Sequence, residues 1–266
     1  MSLALPKQIL RSIGAIRLLD NLRYRYMKYK NRLQNKRFKL EHPEIAIPPD
    51  YLLYESHNVN YSYYLTKGRQ KAEELIKMFQ KYTNLNDKNI LDWGCGPSRV
   101  VRHFPELLPK SHIFGTDYNT DSISWNRKYI DGVRFFENEI NPPTHFKDQF
   151  FDAIYGLSIF THLSEENHHN WINELYRISK VGAVLILTTH GENYKVKLTK
   201  SDQKKYESDV LVVKGNTLEG HRTYAAYQPP QFMRQLFADK FEVLEHIPGP
   251  MDVGYFDQDK WIIKRI

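Results

Sequence analysis

Apolar residues recur along this chain at two spacings, one helical and one extended, and the change between them divides it into an arm and a body. Leu10, Ile13 and Arg17, then Leu18, Leu22, Tyr26, Tyr29 and Leu33, give an imperfect helical stripe with cations on the other faces, which predicts a helix for the arm. Pro43 and Pro48-Pro49 close it, so the body is expected to span 50–266 and the arm 1–49. Tyr51, Tyr54, Tyr61, Tyr63 and Tyr64 form an aromatic run, and Gly68 precedes a predicted helix from Arg69 to about Tyr82, with Ala72, Leu75, Ile76 and Phe79 at core spacing. Extended runs then alternate with helical ones. Strands are predicted at about 89–93, 112–116, 133–136, 151–155 and 184–189, with helices near 98–104, 120–130 and from Ser164-Glu165-Glu166 onward. Past the fifth strand the pattern breaks into a polar helix near 199–208 and two β-like runs, 209–213 and 220–227, before a helix at 230–238 and strands at 241–246 and 261–264. This order predicts an α/β fold with 192–228 as an inserted flap.

The net charge of +7 would suggest a polyanion partner if it were evenly spread. It is not: residues 1–40 hold eleven Lys or Arg against one acid, Asp20, so the rest of the chain is net acidic. Nucleic acid is therefore not an expected partner, and any contact with an anionic surface falls to the arm. The arm has no uninterrupted apolar core of the kind a secretory signal or a membrane span needs, which leaves a peripheral membrane contact, a protein contact or docking on its own body. Cys95 is the only cysteine, so no internal disulfide can form and a reducing, cytoplasmic setting is the expectation. Between two turn glycines, it reads as a small buried filler.

The stretch from Asn89 to Val100 carries the candidate chemistry. Ile90 and Leu91 run into Gly94 and Gly96, a strand ending on a glycine turn at the edge where open α/β sheets bind ligands. A nicotinamide or flavin site would want a third glycine, but Arg99 stands in its place. Asp92 lies just ahead of the turn and Asp117 closes the next apolar run, and two anionic acceptors suit a ligand with an ammonium group and a ribose diol better than a pyrophosphate. A strand and turn without a ligand is the alternative. This combination resembles motif I of class I S-adenosylmethionine-dependent methyltransferases, and Gly115-Thr-Asp-Tyr-Asn119, Asn138-Glu-Ile-Asn-Pro-Pro143, Ser158-Ile-Phe-Thr-His-Leu163, Trp171-Ile-Asn-Glu-Leu175 and Thr188-Thr-His-Gly191 are similar to a bacterial subgroup that accompanies polysaccharide assembly. Val181-Gly182-Ala183 departs from the proline-glycine-glycine turn usual before strand five.

The resemblance implies a Rossmann-like seven-stranded sheet with an antiparallel final strand. It further implies S-adenosyl-L-methionine as cofactor, S-adenosyl-L-homocysteine as product, and a cofactor set of Asp92, Gly94, Gly96, Asp117 on the ribose hydroxyls, Tyr118 over the adenine, Asn138, Glu139 and Gly156. The 50–65 segment would act as a lid, with one of its tyrosines or Arg69 on the methionine carboxylate. Asn141-Pro142-Pro143-Thr144 mimics a nucleobase methyltransferase signature but precedes the fourth strand instead of following it, and Thr144 replaces the stacking aromatic.

Methyl transfer to a hydroxyl needs a base, best a histidine titrating near neutrality. His162 after strand four and His190 at the end of strand five are the candidates, although His162 could instead cap the helix after it. His221, Arg222, Tyr224 and Tyr227 of the flap are candidates for acceptor contacts. His168-His169 lack a convincing carboxylate partner, so no metal is expected. The leading expectation is a sugar or glycan-related hydroxyl acceptor, with small-molecule or lipid methylation, or a non-catalytic cofactor-binding scaffold, as alternatives.

Overall fold

The computed structural model describes residues 16–251 and 256–266. Leu10 and Ile13 of the arm's stripe lie outside them. The chain forms two compact units, Arg17–Asn138 and Glu139–Ile266. Seven strands, numbered along the chain, make one sheet in the order β3-β2-β1-β4-β5-β9-β8, a Rossmann-like arrangement with one antiparallel member.

In the first unit β1 (Asn89–Trp93), β2 (His112–Asp117) and β3 (Val133–Glu137) pair in parallel, with Asp92 opposite Gly115 and Asp117 opposite Glu137. Three helices precede them: α1 (Ile16–Glu41), α2 (Asp50–Ser56) and α3 (Tyr61–Gln80). The start of α3 lies well before Arg69, because the Asn60 side chain accepts the Tyr63 N–H as a cap at 2.9 Å and Tyr61 and Tyr64 extend its buried face. Gly68 thus sits inside the helix, and a Cβ there would lie 2.0 Å from the Arg99 carbonyl oxygen. Glycine lets α3 pack directly on the chain that follows the β1 turn.

The helix expected at 98–104 is replaced by a turn, a short 3-10 segment at Val101–His103 and α4 (Phe104–Leu107). Pro97 and Ser98, whose φ of +60° is left-handed, delay helical winding after Gly96. Between β2 and β3 runs α5 (Thr120–Tyr129), capped by Asn119.

The arm's helix docks on its own unit by a face other than its apolar stripe. Phe38 joins Leu53, Tyr61 and Tyr64 in a small core, and Asn35 donates to the Val59 carbonyl while accepting the Tyr61 N–H, both at 3.1 Å. Asp20 accepts the Tyr54 hydroxyl at 2.7 Å. The leucines and tyrosines of the stripe itself, from Leu18 to Leu33, are exposed.

The second unit holds β4 (Phe151–Gly156), α6 (Glu165–Ile178), β5 (Ser179–Thr189), α7 (Lys200–Glu207), β6 (Val212–Lys214), β7 (Ala225–Tyr227), α8 (Pro230–Phe237), β8 (Phe241–Ile247) and β9 (Asp259–Arg265). β4 and β5 are parallel, and β9 runs antiparallel to both β5 and β8. The residues between β5 and α8 build a substructure of their own: β6 and β7 pair as an antiparallel ribbon, and Tyr194, Leu198, Tyr206, Val212, Ala225 and Tyr227 bury a common core. Among the described residues no helix is long and apolar enough to cross a membrane.

Candidate functional site

The β1 turn is built around Gly94 and Gly96, at φ +77° and +47°, conformations that a side chain would strain. Four N–H groups of the turn are spent internally. Gly94 and Cys95 donate to the Thr116 carbonyl at 2.8 and 2.9 Å, Gly96 to Asp117 Oδ2 at 2.7 Å, and Ser98 to the Cys95 carbonyl at 3.0 Å. These four are not available as a cradle for a phosphate.

Asp117 is the hub of this arrangement. Its other oxygen accepts the Asn119 N–H at 2.8 Å and the Tyr118 N–H also bonds the carboxylate, which fastens the β1 turn to the β2 turn and keeps acceptor capacity for a ribose hydroxyl. Burial pushes its carboxyl above the usual carboxylate range, against the pull of the Asn119 and Gly96 N–H groups. Asp92 is buried one strand away. Tyr118, half-buried beside Asp117, has its phenol pushed up to about 12 by burial and then by the Asp117 charge. Asn138 closes the set: its N–H reaches the Asp117 carbonyl at 3.1 Å and its Oδ1 accepts the Thr116 hydroxyl at 2.7 Å. Glu139 is exposed. α2 ends beside the turn, since a Cβ on Gly96 would come within 3.8 Å of Ser56 Cβ, and Glu55 is close enough to raise both Asp117 and Tyr118. Cys95 is a buried free thiol pushed well above its ordinary range by desolvation, a filler rather than a nucleophile.

The structure narrows the candidates for the ligand carboxylate. Arg69 does not wait for a ligand carboxylate: its guanidinium is held by Glu106 at 2.8 and 2.9 Å and by Glu73 at 3.2 Å. Three of the run's tyrosines are structural as well. Tyr54 bonds Asp20, Tyr61 bonds Asp50 at 2.7 Å, and Tyr64, buried on the turn, donates to the Pro97 carbonyl at 2.5 Å.

In the second unit Gly156 ends β4 and is buried. His162 Nδ1 lies 2.8 Å from the Tyr224 carbonyl and His190 Nδ1 lies 2.9 Å from the Ala226 carbonyl. A carbonyl only accepts, so each Nδ1 carries the proton and each Nε2 keeps a bare lone pair. The helix cap belongs to Ser164, whose hydroxyl accepts the Asn167 N–H at 3.2 Å, which frees His162 from that role. His190 does not titrate near neutrality as expected, and His162 is shifted the same way. Burial lowers both, and His190, stacked on Tyr194 at 4.0 Å, is pushed down to about 3 by burial and then by the His162 charge.

Sequence reasoning missed what holds these rings. Gln228, 1% exposed, accepts the His190 N–H at 3.0 Å and donates to the Phe160 carbonyl at 2.9 Å, with His168 Nε2 at 3.0 Å. His168 is thus a buried tether and not a ligand. A second network links Ser158, Thr188 and Gln258: Thr188 accepts the Ser158 N–H at 2.7 Å, and Gln258 joins both side chains. Thr144 is tied to the Glu174 carboxylate through its N–H and hydroxyl, at 2.7 and 2.5 Å.

Comparison with known proteins adds a family description. A profile described as a methyltransferase domain matches residues 90–182. A malonyl-[acyl-carrier protein] O-methyltransferase of Bacillus cereus is 25% identical over 173 residues, 64% of this chain, and the chain spans 62% of that relative's length. Among solved structures, an S-adenosylmethionine-dependent methyltransferase from Methanosarcina mazei superposes with a TM-score of 0.54 at 19% identity, covering 71% of this chain and 96% of that one. A geranyl diphosphate C-methyltransferase from Streptomyces coelicolor, solved with Mg2+, geranyl-S-thiolodiphosphate and S-adenosyl-L-homocysteine, gives 0.52 at 13% identity, covering 74% and 76%. The two structural likenesses carry the fold. No polysaccharide enzyme stands among these relatives.

Proposed function

We propose that this chain, whose residues 90–182 form a methyltransferase domain of the S-adenosylmethionine-dependent kind, transfers a methyl group to a hydroxyl oxygen. The observation that carries this reading is the pair of imidazoles locked by flap carbonyls with Nε2 unprotonated. An N-H-bearing Nε2 could only donate, whereas these can take a proton from an acceptor O–H. The cofactor supplies a sulfonium-bound methyl as electrophile. Asp92, Asp117, Tyr118 and Asn138 bind and orient it, with Gly94 and Gly96 shaping the turn, and Glu139 and Gly156 complete the assigned set. His162 Nε2 would hold the acceptor hydroxyl and take its proton as the oxygen's bond to the methyl forms and the methyl's bond to sulfur breaks, while His190 fixes the hydroxyl's direction. Alignment of the two reactants accounts for about 7–11 kcal/mol of such barriers, and a positioned base for a factor of about 100 to 10,000.

We assign a sugar-like hydroxyl compound as acceptor on the sequence resemblance at 158–163, 171–175 and 188–191 alone, since Tyr194 and Tyr227, which flank His190, are buried in a core of their own. The flap of 192–228 would cover it. The curated relatives favour a second reading, methylation of a carboxylate on an acyl-carrier thioester. A carboxylate is already deprotonated and needs no base, so the two readings separate cleanly. With nucleotide sugars or glycans as acceptors, His162→Asn should lower kcat by at least about 100-fold and abolish the acid limb of the pH profile. Turnover of a malonyl thioester that is indifferent to His162→Asn would establish the second reading instead. The buried lone thiol of Cys95 suits a cytoplasmic setting, and contact with a membrane or a protein partner is assigned to the arm.

A further inference from the structure

α1 presents two opposite faces. Asp20, Tyr24, Met27, Asn31, Asn35 and Phe38 turn toward its own unit. On the other side Leu19, Leu22, Tyr26, Tyr29, Leu33 and Leu40 are between 42% and 74% exposed. Their spacing of three and four residues makes a continuous stripe, interrupted only by Lys36. A contiguous exposed apolar stripe marks an interaction surface.

The flanks of the stripe select the occupant. One side is Arg23, Lys30 and Arg37, the other Arg25, Arg32 and Lys39, with no acid among them. Of the acids near the cations, Asp50 of α2 pairs with Lys28 at 3.0 Å and Glu41 pairs with one flank cation, Arg37, at 2.6 Å. A second copy pairing along the stripe would bring cation rows against cation rows, which opposes self-association. Between an acidic helix and an anionic lipid surface, the composition of the stripe decides. Two tyrosines and a lysine at seam positions pack poorly against a facing helix, but tyrosine rings with polar tips and long cationic stems are at home in the headgroup layer.

We propose that α1 seats this protein on an anionic membrane surface, its leucines and tyrosines entering the headgroup layer and its two cation rows meeting lipid phosphates. The inference does not depend on the identity of the methyl acceptor. The test is co-sedimentation of the full chain with vesicles of phosphatidylcholine alone and of phosphatidylcholine mixed with phosphatidylglycerol. Two variants accompany it, Leu22→Gln/Leu33→Gln/Leu40→Gln, which keeps every charge, and Arg23→Gln/Arg25→Gln/Lys30→Gln, which keeps the stripe. All six positions face away from the unit, and circular dichroism checks that both variants keep their helix content.

The expected result is binding to the anionic vesicles at least about tenfold stronger than to the neutral ones, lost in both variants and weakened by salt. Absence of binding to anionic vesicles would overturn the proposal, as would undiminished binding by the leucine variant, which would reduce the effect to diffuse charge attraction. A dimer in lipid-free sedimentation that the leucine variant dissolves, without vesicle binding, would show a second copy to be the occupant.

Discussion

Replacing His168 with glutamine tests whether the candidate bases are held by a neutral, proton-excluding tether. His168 is fully buried, with Phe160 stacked at 4.9 Å and the Phe232 ring edge-on at 5.8 Å. Its Nδ1 donates to the Ser164 carbonyl at 2.7 Å, so Nε2 must accept from Gln228. A second proton on Nε2 would face the Gln228 amide N–H head-on. Burial, then the neighbouring His169 charge, accordingly pushes the imidazole from its ordinary 6.5 down to about 4. At 1.36 kcal/mol per pKa unit, that shift makes the folded state more stable by about 3 kcal/mol wherever both states are neutral.

The direction of the pH effect follows from proton uptake. Above about pH 6.5 neither the folded nor the unfolded state binds this proton and the stabilisation is complete; between 6.5 and 4 only the unfolded chain takes it up, so stability falls as pH falls. By about pH 5 the loss is about 2 kcal/mol. Urea unfolding of the wild type and of His168→Gln, at neutrality and at about pH 5, isolates this share, since His190 and His103 contribute equally to both proteins. The wild type should lose about 2 kcal/mol more than the variant. Equal losses would refute the claim that His168 is neutral and tethered, and with it the account of how Gln228 positions His190.

Other perturbations probe separate parts of the structure. Gly68→Ala places a methyl 2.0 Å from a backbone oxygen that cannot swing aside, and scanning calorimetry should show a destabilisation of about 1–3 kcal/mol; an unchanged Tm would mean that α3 does not pack directly on Arg99. Asn35→Leu strips partners from the Val59 carbonyl and the Tyr61 N–H, each costing about 1–3 kcal/mol. Trypsin should then cut within the basic α1 faster, with the β1 turn still intact; cleavage at the wild-type rate would show that the helix is not docked through Asn35.

What the sequence made legible, and what it hid, divides by the range of the interactions involved. β1, the Gly94–Gly96 turn and Asp117 were readable because an apolar run, a glycine requirement and a strand-end acid are all local signals. The start of α3 was misjudged because Gly68 looks like a boundary until its close approach to Arg99 is seen, and because the Asn60 cap is a single residue amid tyrosines. The arm's helix was legible while its docked face was not. Hydrophobic periodicity points to the exposed stripe, whereas docking uses Asp20, Asn31 and Asn35, polar groups whose partners lie more than a turn of sequence away. The histidines at the ends of β4 and β5 could be named from position, but their tautomers depend on carbonyls of Tyr224 and Ala226. Backbone acceptors contributed from 36 and 62 residues away leave no trace in residue identity.

The most direct test of the central claim is calorimetric titration of the full chain with S-adenosylmethionine and S-adenosylhomocysteine, repeated on Asp117→Asn. The amide keeps the shape of the carboxylate but turns an N–H toward either the Gly96 or the Asn119 N–H, and removes the charge meant for the ribose. Losing a hydrogen bond to a charged acceptor costs about 1.5–3 kcal/mol, so the account predicts saturable binding of both ligands to the wild type, weakened roughly tenfold to a hundredfold in the variant. No binding to the folded wild type, or equal binding to wild type and Asp117→Asn, would contradict it.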